Sequence, residues 1–239
     1  MPSITQAIIL AAGKGKRLEP LTNTTPKAMV TIGTKPLLHI LVDRLKEVGI
    51  TDITIVVHYL QEKIIDYFGD GSSFGVSIRY AKQKEMQGTA NALIAAEKYI
   101  KTSQFLCIAC DSLFEKDLLP RILNHKGKGV ITCRRVEDPS RYGILEIVGK
   151  KVIKIIEKPQ TPSSSLANLS VYLFPKEIFQ TCHLVQPSLR GEYEVTDAIQ
   201  MLIEQGFVFE YEESDTIIDI GTPQQLVVAK EVAKGLNLL

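Results

Sequence analysis

One short stretch restricts the fold of this chain more than any other: Ala7-Ile8-Ile9-Leu10-Ala11-Ala12 runs straight into Gly13-Lys14-Gly15-Lys16-Arg17. An apolar run of this length reads as a buried strand, and a strand that empties into glycines and cations suits a backbone wrapped around phosphate. Without Cβ atoms, Gly13 and Gly15 let main-chain N–H groups turn inward and approach an anion closely. Arg17 and, further on, Lys27 supply full positive charge. The dinucleotide fingerprint of dehydrogenases begins in the same way. Its third glycine would fall at Leu18, however, and the acid expected at the end of the next strand is replaced by Val57-His58. A P-loop is excluded too, because no Gly-Lys-Ser/Thr follows.

A chain of 239 residues, 45% of them hydrophobic, is expected to form one α/β domain with a sizeable core. Its net charge of +1 argues against a nucleic-acid coat or a membrane-surface protein, and so for small substrates. No apolar run is long enough to span a bilayer, and Met1-Pro2-Ser3 has neither a basic leader segment nor a cleavage site. The expected location is cytoplasmic. Cys107 and Cys110 form a Cys-x-x-Cys on a strand, where three-residue spacing sends side chains to opposite faces. With Cys133 and Cys182 isolated, all four are expected to be buried free thiols.

Strand-like and helical runs alternate along the chain. Strands are predicted at 4–11, 53–57, 76–81, 105–110 and 129–133, and helices from 36 to about 48, at 62–68, 89–100 and 117–125. After Pro139 the pattern changes: residues 144–148 and 152–157 flank Gly149-Lys150-Lys151, a hairpin signal. A polar loop at 159–165 leads into another strand at 167–174, and 222–236 reads as a closing helix. The expected architecture is a Rossmann-like three-layer α/β/α sandwich, with a mostly parallel mixed sheet and an added antiparallel hairpin region. In such sheets ligands sit beyond the carboxyl ends of the strands. Asp111 directly follows one apolar run, and Asp219 closes another.

Several motifs occur in a fixed order: Gly13-x-Gly15-x-Arg17 with Pro20, Thr22, Pro26 and Lys27; Gln83 with Gly88-Thr89-Ala90; Asp111; Arg141-Tyr142-Gly143; Glu157-Lys158-Pro159; and Asp219-Ile220-Gly221-Thr222-Pro223. Together they closely resemble the sugar-1-phosphate nucleotidylyltransferases, nearest in pattern to the glucose-1-phosphate thymidylyl- and uridylyltransferases. The resemblance implies a single domain over 1–239, with a nucleotide-binding half at 1–135 and a sugar-phosphate-binding half with the closing helix at 136–239. It places the nucleotide on Leu10, Ala11, Gly13, Gly15, Arg17, Gln83, Gly88 and Thr89. A glutamine amide both donates and accepts, as the edge of uracil or thymine requires.

The same resemblance implies that Arg17 meets the leaving pyrophosphate and that Lys27 neutralises the reacting phosphoryl groups. Asp111 and Asp219 would hold Mg²⁺. The sugar phosphate would lie on Tyr142, Gly143, Glu157, Lys158 and Asn168, with Lys158 pairing its phosphate; Arg17, Lys27, Asp111 and Lys158 would be the catalytic group. Arg190-Gly191-Glu192-Tyr193-Glu194 resembles a segment of glucose-1-phosphate enzymes. Departures from the family pattern are Lys16 for Thr or Ser, Cys110 and Ser170 for glycines, and Ile217 for Trp. The implied reaction moves a nucleotidyl group from UTP or dTTP to a sugar 1-phosphate, with no nucleic-acid or membrane partner and with homo-oligomerisation left open. The alternative is the same reaction with CTP or GTP, or with phosphocholine or a mannose, heptose or N-acetylglucosamine phosphate.

Overall fold

The computed structural model describes residues 4–235. Met1-Pro2-Ser3, on which the expectation of no leader rests, and Leu236, the predicted end of the closing helix, lie outside the described residues. The N-terminal half supplies strands β1 (Gln6–Leu10), β2 (Thr31–Ile32), β3 (Lys35–Pro36), β4 (Asp52–Val57), β5 (Ser77–Lys82), β6 (Gln104–Ala109), β7 (Ser112–Leu113) and β8 (Gly129–Arg135). Its helices are α1 (Leu37–Glu47), α2 (Gln61–Phe68), α3 (Thr89–Ala96) and α4 (Leu118–Asn124). Then come β9 (Gly143–Val148), β10 (Lys151–Glu157), β11 (Leu166–Pro175), α5 (Ile178–Cys182), α6 (Val195–Glu204), β12 (Phe209–Glu213), β13 (Ile218–Asp219) and α7 (Pro223–Gly235).

Nine strands form one mixed sheet in the order β5-β4-β1-β6-β11-β8-β12-β10-β9. The expected α/β sandwich is present, but parallel pairing is less dominant than expected. The pairings β5–β4, β4–β1, β1–β6 and β8–β12 are parallel, whereas β6–β11, β11–β8, β12–β10 and β10–β9 are antiparallel. The cause is β11, which returns from the second half of the chain and inserts between β6 and β8. The predicted hairpin of β9 and β10 is continuous with this sheet at one end and does not lie over its edge.

Period-two alternation explains the layering. On β1, Ala7 and Ile9 enter one core and Ile8 the other; on β6, Leu106 and Ile108 oppose Phe105 and Cys107. Helices therefore have to cover both faces. α1, α2 and α4 bury Leu38, Leu41, Leu45, Ile64, Phe68, Leu119 and Ile122 against the first face. α3, α5 and α6 bury Leu93, Ala96, Phe179, Ile199 and Leu202 against the second. Each Leu, Ile or Phe buried in this way contributes roughly 1.5–3 kcal/mol. A third core packs α7, through Ala229 and Ala233, onto Ile32, Leu37, Ile40, Leu113, Ile218 and Ile220.

All four cysteines are free and buried, as expected, and Cys107 and Cys110 point into opposite cores. Burial pushes the Cys110 thiol up to about 12, far from the reactive thiolate range. Among the described residues no helix is long and apolar enough to cross a membrane.

Candidate active site

β5, β4, β1 and β6 run parallel, so their carboxyl ends open on one side, and the segments that follow carry many of the predicted site residues. After β1 the chain makes short 3-10 turns at Lys16–Leu18, Leu21–Asn23 and Lys27–Met29. The loop is tied from within and without. Thr22 donates its hydroxyl to the Gly15 carbonyl at 2.9 Å, Tyr59 donates to the Thr22 carbonyl at 2.9 Å, and the Lys63 ammonium donates to the Thr24 carbonyl at 2.5 Å.

The two loop glycines serve different ends. Gly15 holds φ +69°, and a Cβ there would lie 3.1 Å from the Lys27 Cβ, so the fold itself demands glycine. At Gly13 a Cβ would meet nothing within 4 Å. No contact among the described residues requires this glycine.

Lys27 points from this loop to Asp111, just beyond β6, and the two form a close ion pair. Burial works against the Lys27 charge, but Asp111, with Asp219 further off, outweighs it and holds the ammonium above the usual lysine range. Asp111 and Asp219 are brought together by a small ladder outside the main sheet. In it Asp219 of β13 lies opposite Ser112 of β7, and the Ile220 N–H donates to the Asp111 carbonyl at 2.9 Å. Burial first, then the Asp111 charge, pushes Asp219 well above the usual carboxylate range. Its one side-chain donor among the described residues is the Ser112 hydroxyl at 3.5 Å.

The sugar-side residues converge by strand register. Gly143 at the start of β9 pairs with Glu157 at the end of β10, and Ile144 pairs with Ala167, next to Asn168 at the start of β11. Gly143, Glu157 and Asn168 line a cleft of about 840 Å³ together with Arg17, Tyr142, Lys158 and Asp219. Glu157 accepts from Arg190 and from the Thr196 hydroxyl, both at 3.2 Å, and lies 3.4 Å from Lys158. Asn168 donates to the Tyr172 hydroxyl at 2.6 Å. Lys158 at φ +43° and Ser170 at φ +54° hold left-handed backbone, which for non-glycine residues is strained and concentrates at functional sites. Ser170 sits where β11 bulges, so the position still adopts the conformation a glycine would favour.

The predicted residues do not all share one cavity. Arg17, Tyr142, Gly143, Glu157, Lys158, Asn168 and Asp219 line the cleft, and Lys27 and Asp111 join it through Asp219. The Arg17 guanidinium lies across Gly221, where a Cβ would come within 2.7 Å of its Nη2. Gln83 lines a separate hollow of about 380 Å³ beyond β5. Gly88 and Thr89 have structural uses: a Cβ at Gly88 would strike the Tyr193 backbone at 2.5 Å, and the Thr89 hydroxyl accepts the Val195 N–H at 2.9 Å. Leu10 ends β1, and Ala11, Gly13 and Gly15 lie in the loop after it, where the Ala11 N–H donates to the Val56 carbonyl at 2.9 Å.

Other cleft residues were not singled out by sequence as ligands: Ser140, Arg141, Arg190, Glu192, Thr222 and Gln225. Thr222 and Gln225 did carry a signal. They are spaced as a capping box, and the Thr222 hydroxyl accepts the Gln225 N–H while Gln225 Oε1 accepts the Gly221 N–H.

Comparison with known proteins identifies the family and its fold. A family model described as nucleotidyl transferase matches residues 6–234. A UTP–glucose-1-phosphate uridylyltransferase, AglF, of Haloferax volcanii is 38% identical over 226 residues, covering 92% of each chain. The bifunctional protein GlmU of Methanocaldococcus jannaschii is 35% identical over 94% of this chain, which spans only 53% of that protein's length. A Bacillus anthracis protein crystallised with sucrose as a glucose-1-phosphate thymidylyltransferase superposes with a TM-score of 0.85 at 33% identity, over 96% of this chain and 95% of that one. A UDP-glucose pyrophosphorylase complexed with UDP-glucose also gives 0.85, at 23% identity and 98% and 99% coverage; it supports the fold alone.

Proposed function

The chain belongs to the nucleotidyl transferase family, and from that premise we propose that it joins UTP or dTTP to a sugar 1-phosphate, glucose 1-phosphate foremost, releasing pyrophosphate. One observation carries the reading: Arg17, Lys158 and Asp219 line a single cleft, and Asp219 adjoins the Lys27–Asp111 pair. The likeness to the Haloferax uridylyltransferase and the Bacillus thymidylyltransferase supports a glucose 1-phosphate acceptor and a uridine or thymidine donor.

On this reading the phosphate oxygen of the sugar attacks the α-phosphorus in line, and the bond to pyrophosphate breaks. The attacking oxygen is already ionised near neutral pH, so the protein has no proton to remove. The obstacle is repulsion between two polyanions, about 4 kcal/mol for unit charges 4 Å apart at an effective dielectric of 20. Lys158 receives the acceptor phosphate, Lys27 faces the reacting phosphoryl group and Arg17 the leaving one. Glu157, held by Arg190 and Thr196, accepts a sugar hydroxyl. Two adjacent carboxylates meet here, Asp111 paired with Lys27 and Asp219 without a close charged partner of its own among the described residues, and oxygen donors of this kind fit a hard divalent cation. Asp111 and Asp219 would hold Mg²⁺, which when bound supplies positive charge to the α-phosphate oxygens.

Pyrophosphate release across UTP, dTTP, CTP, GTP and ATP with a panel of sugar phosphates tests the proposal. Turnover should be highest with UTP or dTTP and glucose 1-phosphate, and no release with any pair would refute it. Lys27→Ala should lower kcat on the order of a hundredfold while changing nucleotide Kd little. Equal kcat in the two proteins would remove Lys27 from the chemistry.

A further inference from the structure

Beyond β5 the side chain of Gln83 is almost entirely enclosed, 4% exposed, and its amide orientation is fixed by its partners. Nε2 donates to the Gly88 carbonyl at 3.1 Å and to Asn91 Oδ1 at 2.9 Å. A main-chain carbonyl can only accept, so the atom facing Gly88 must be the NH₂ nitrogen; the Asn91 atom facing that nitrogen must then be its oxygen. Both amide protons are thereby consumed. The main chain of Gln83 is engaged as well: its N–H donates to the Val57 carbonyl at 3.0 Å, and its carbonyl lies 2.7 Å from His58 Nδ1. Among the described residues nothing donates to Gln83 Oε1. A glutamine that could in principle donate or accept is left here as an acceptor only.

We propose that Asn91, at the N-terminal turn of α3, is a specificity-positioning residue: it holds the Gln83 carboxamide so that only a carbonyl oxygen is offered to the base. An acceptor at that point selects a base bearing N–H at N3, as uracil and thymine do. It opposes cytosine, whose N3 carries a lone pair. This rests on the nucleotidyl-transfer reading, with the base seated in the hollow of about 380 Å³ that Gln83 and Asn91 both line, and deepens it, because the discrimination lies in an amide's orientation and not in pocket size. Meeting lone pair with lone pair once the base covers the site leaves both groups unsatisfied, which corresponds to a discrimination of roughly ten- to a hundredfold. Without the second acceptor one amide proton is left unpaired and only the Gly88 carbonyl opposes rotation of the amide, so the carbonyl oxygen is held less firmly toward the base.

The test measures kcat/KM for UTP and CTP, together with calorimetric Kd values for UMP and CMP, in wild type, Asn91→Leu, Asn91→Ala and Asn91→Asp, with thermal melts to verify folding. In wild type the UTP to CTP ratio should be large. Asn91→Leu and Asn91→Ala should lower it about tenfold, in binding as well as in turnover. Asn91→Asp keeps an acceptor facing Nε2 and should retain the ratio within about twofold, even if its added charge weakens both nucleotides together. A ratio unchanged in folded Asn91→Leu and Asn91→Ala, or one lost equally in Asn91→Asp, overturns the role of Asn91 while leaving the transfer reaction intact. A wild-type preference for CTP overturns both the base assignment and this proposal.

Discussion

Glu115 and Asp219 are both partly buried carboxylates near strand ends, yet their surroundings push them in opposite directions. Burial opposes charge on Glu115, but the Thr216 and Ser214 hydroxyls and the Arg121 guanidinium all donate to it and bring it below the usual range. Arg121 also binds Asp117 and Glu212, and His125 bridges Glu210 and Glu212 at 2.5 and 2.8 Å, so this acidic region is closed by its own donors. At Asp219, burial and the acidic Asp111 beside it outweigh Lys27, Arg134 and a distant Ser112 hydroxyl. The difference separates charges that hold a fold together from charges kept ready for something outside it. A carboxylate whose charge the protein leaves under-compensated in a cleft is a candidate for chemistry.

The sharpest way to break this contrast is Asp219→Asn. Turnover should fall on the order of a hundredfold or more in a pyrophosphate-release assay, because a charged ligand is lost from the reacting centre. Stability should move the other way. A carboxylate raised in the fold costs stability above its unfolded value near 4, increasingly as pH climbs toward its folded value. The melting temperature of Asp219→Asn should therefore gain on that of wild type between about pH 4 and neutrality. A destabilised Asp219→Asn with normal turnover would place Asp219 in the structural class.

Arg121→Ala should give the reverse profile. Removing a guanidinium that serves three carboxylates, at a side chain one-third exposed, should cost about 2 kcal/mol in denaturant unfolding and leave kcat within about twofold. His125 gives the smallest effect. Burial lowers its basicity, but Glu212 and Glu210 outweigh burial and raise it above the usual histidine value. Its contribution is fully present below the unfolded value near 6.5 and is lost as pH rises through the folded one. Wild type should lose up to ~1 kcal/mol across that window, and His125→Gln should show a flatter profile.

Much of the site was legible in sequence because parallel strands deliver their ligands at strand ends: the loop after β1, Gln83 after β5 and Asp111 after β6 each follow a recognisable apolar run. Gly143, Glu157 and Asn168 were legible as motifs, but their meeting depends on the register of three strands, which one-dimensional spacing does not contain. The stretch from α5 to β12 was not resolved into elements. α5 has five residues, too few for a helical period, and β12 reads Phe209-Glu210-Tyr211-Glu212-Glu213, whose acids are accommodated only because Arg121 and His125 arrive from α4 and the residue after it. The use of Gly88 is similar: its need for glycine comes from Tyr193, more than a hundred residues away.

The ladder of β7 and β13 has a temporal implication. All nine strands of the large sheet are complete by Glu213, whereas the second acid arrives at Asp219, anchored through the Ile217 carbonyl to Arg134 and through Ile220 to Asp111. A polypeptide emerging from the ribosome can thus finish its central scaffold while still owning only one member of the acidic pair. On the proposed reading competence is added last, by a segment that contributes no strand to the large sheet.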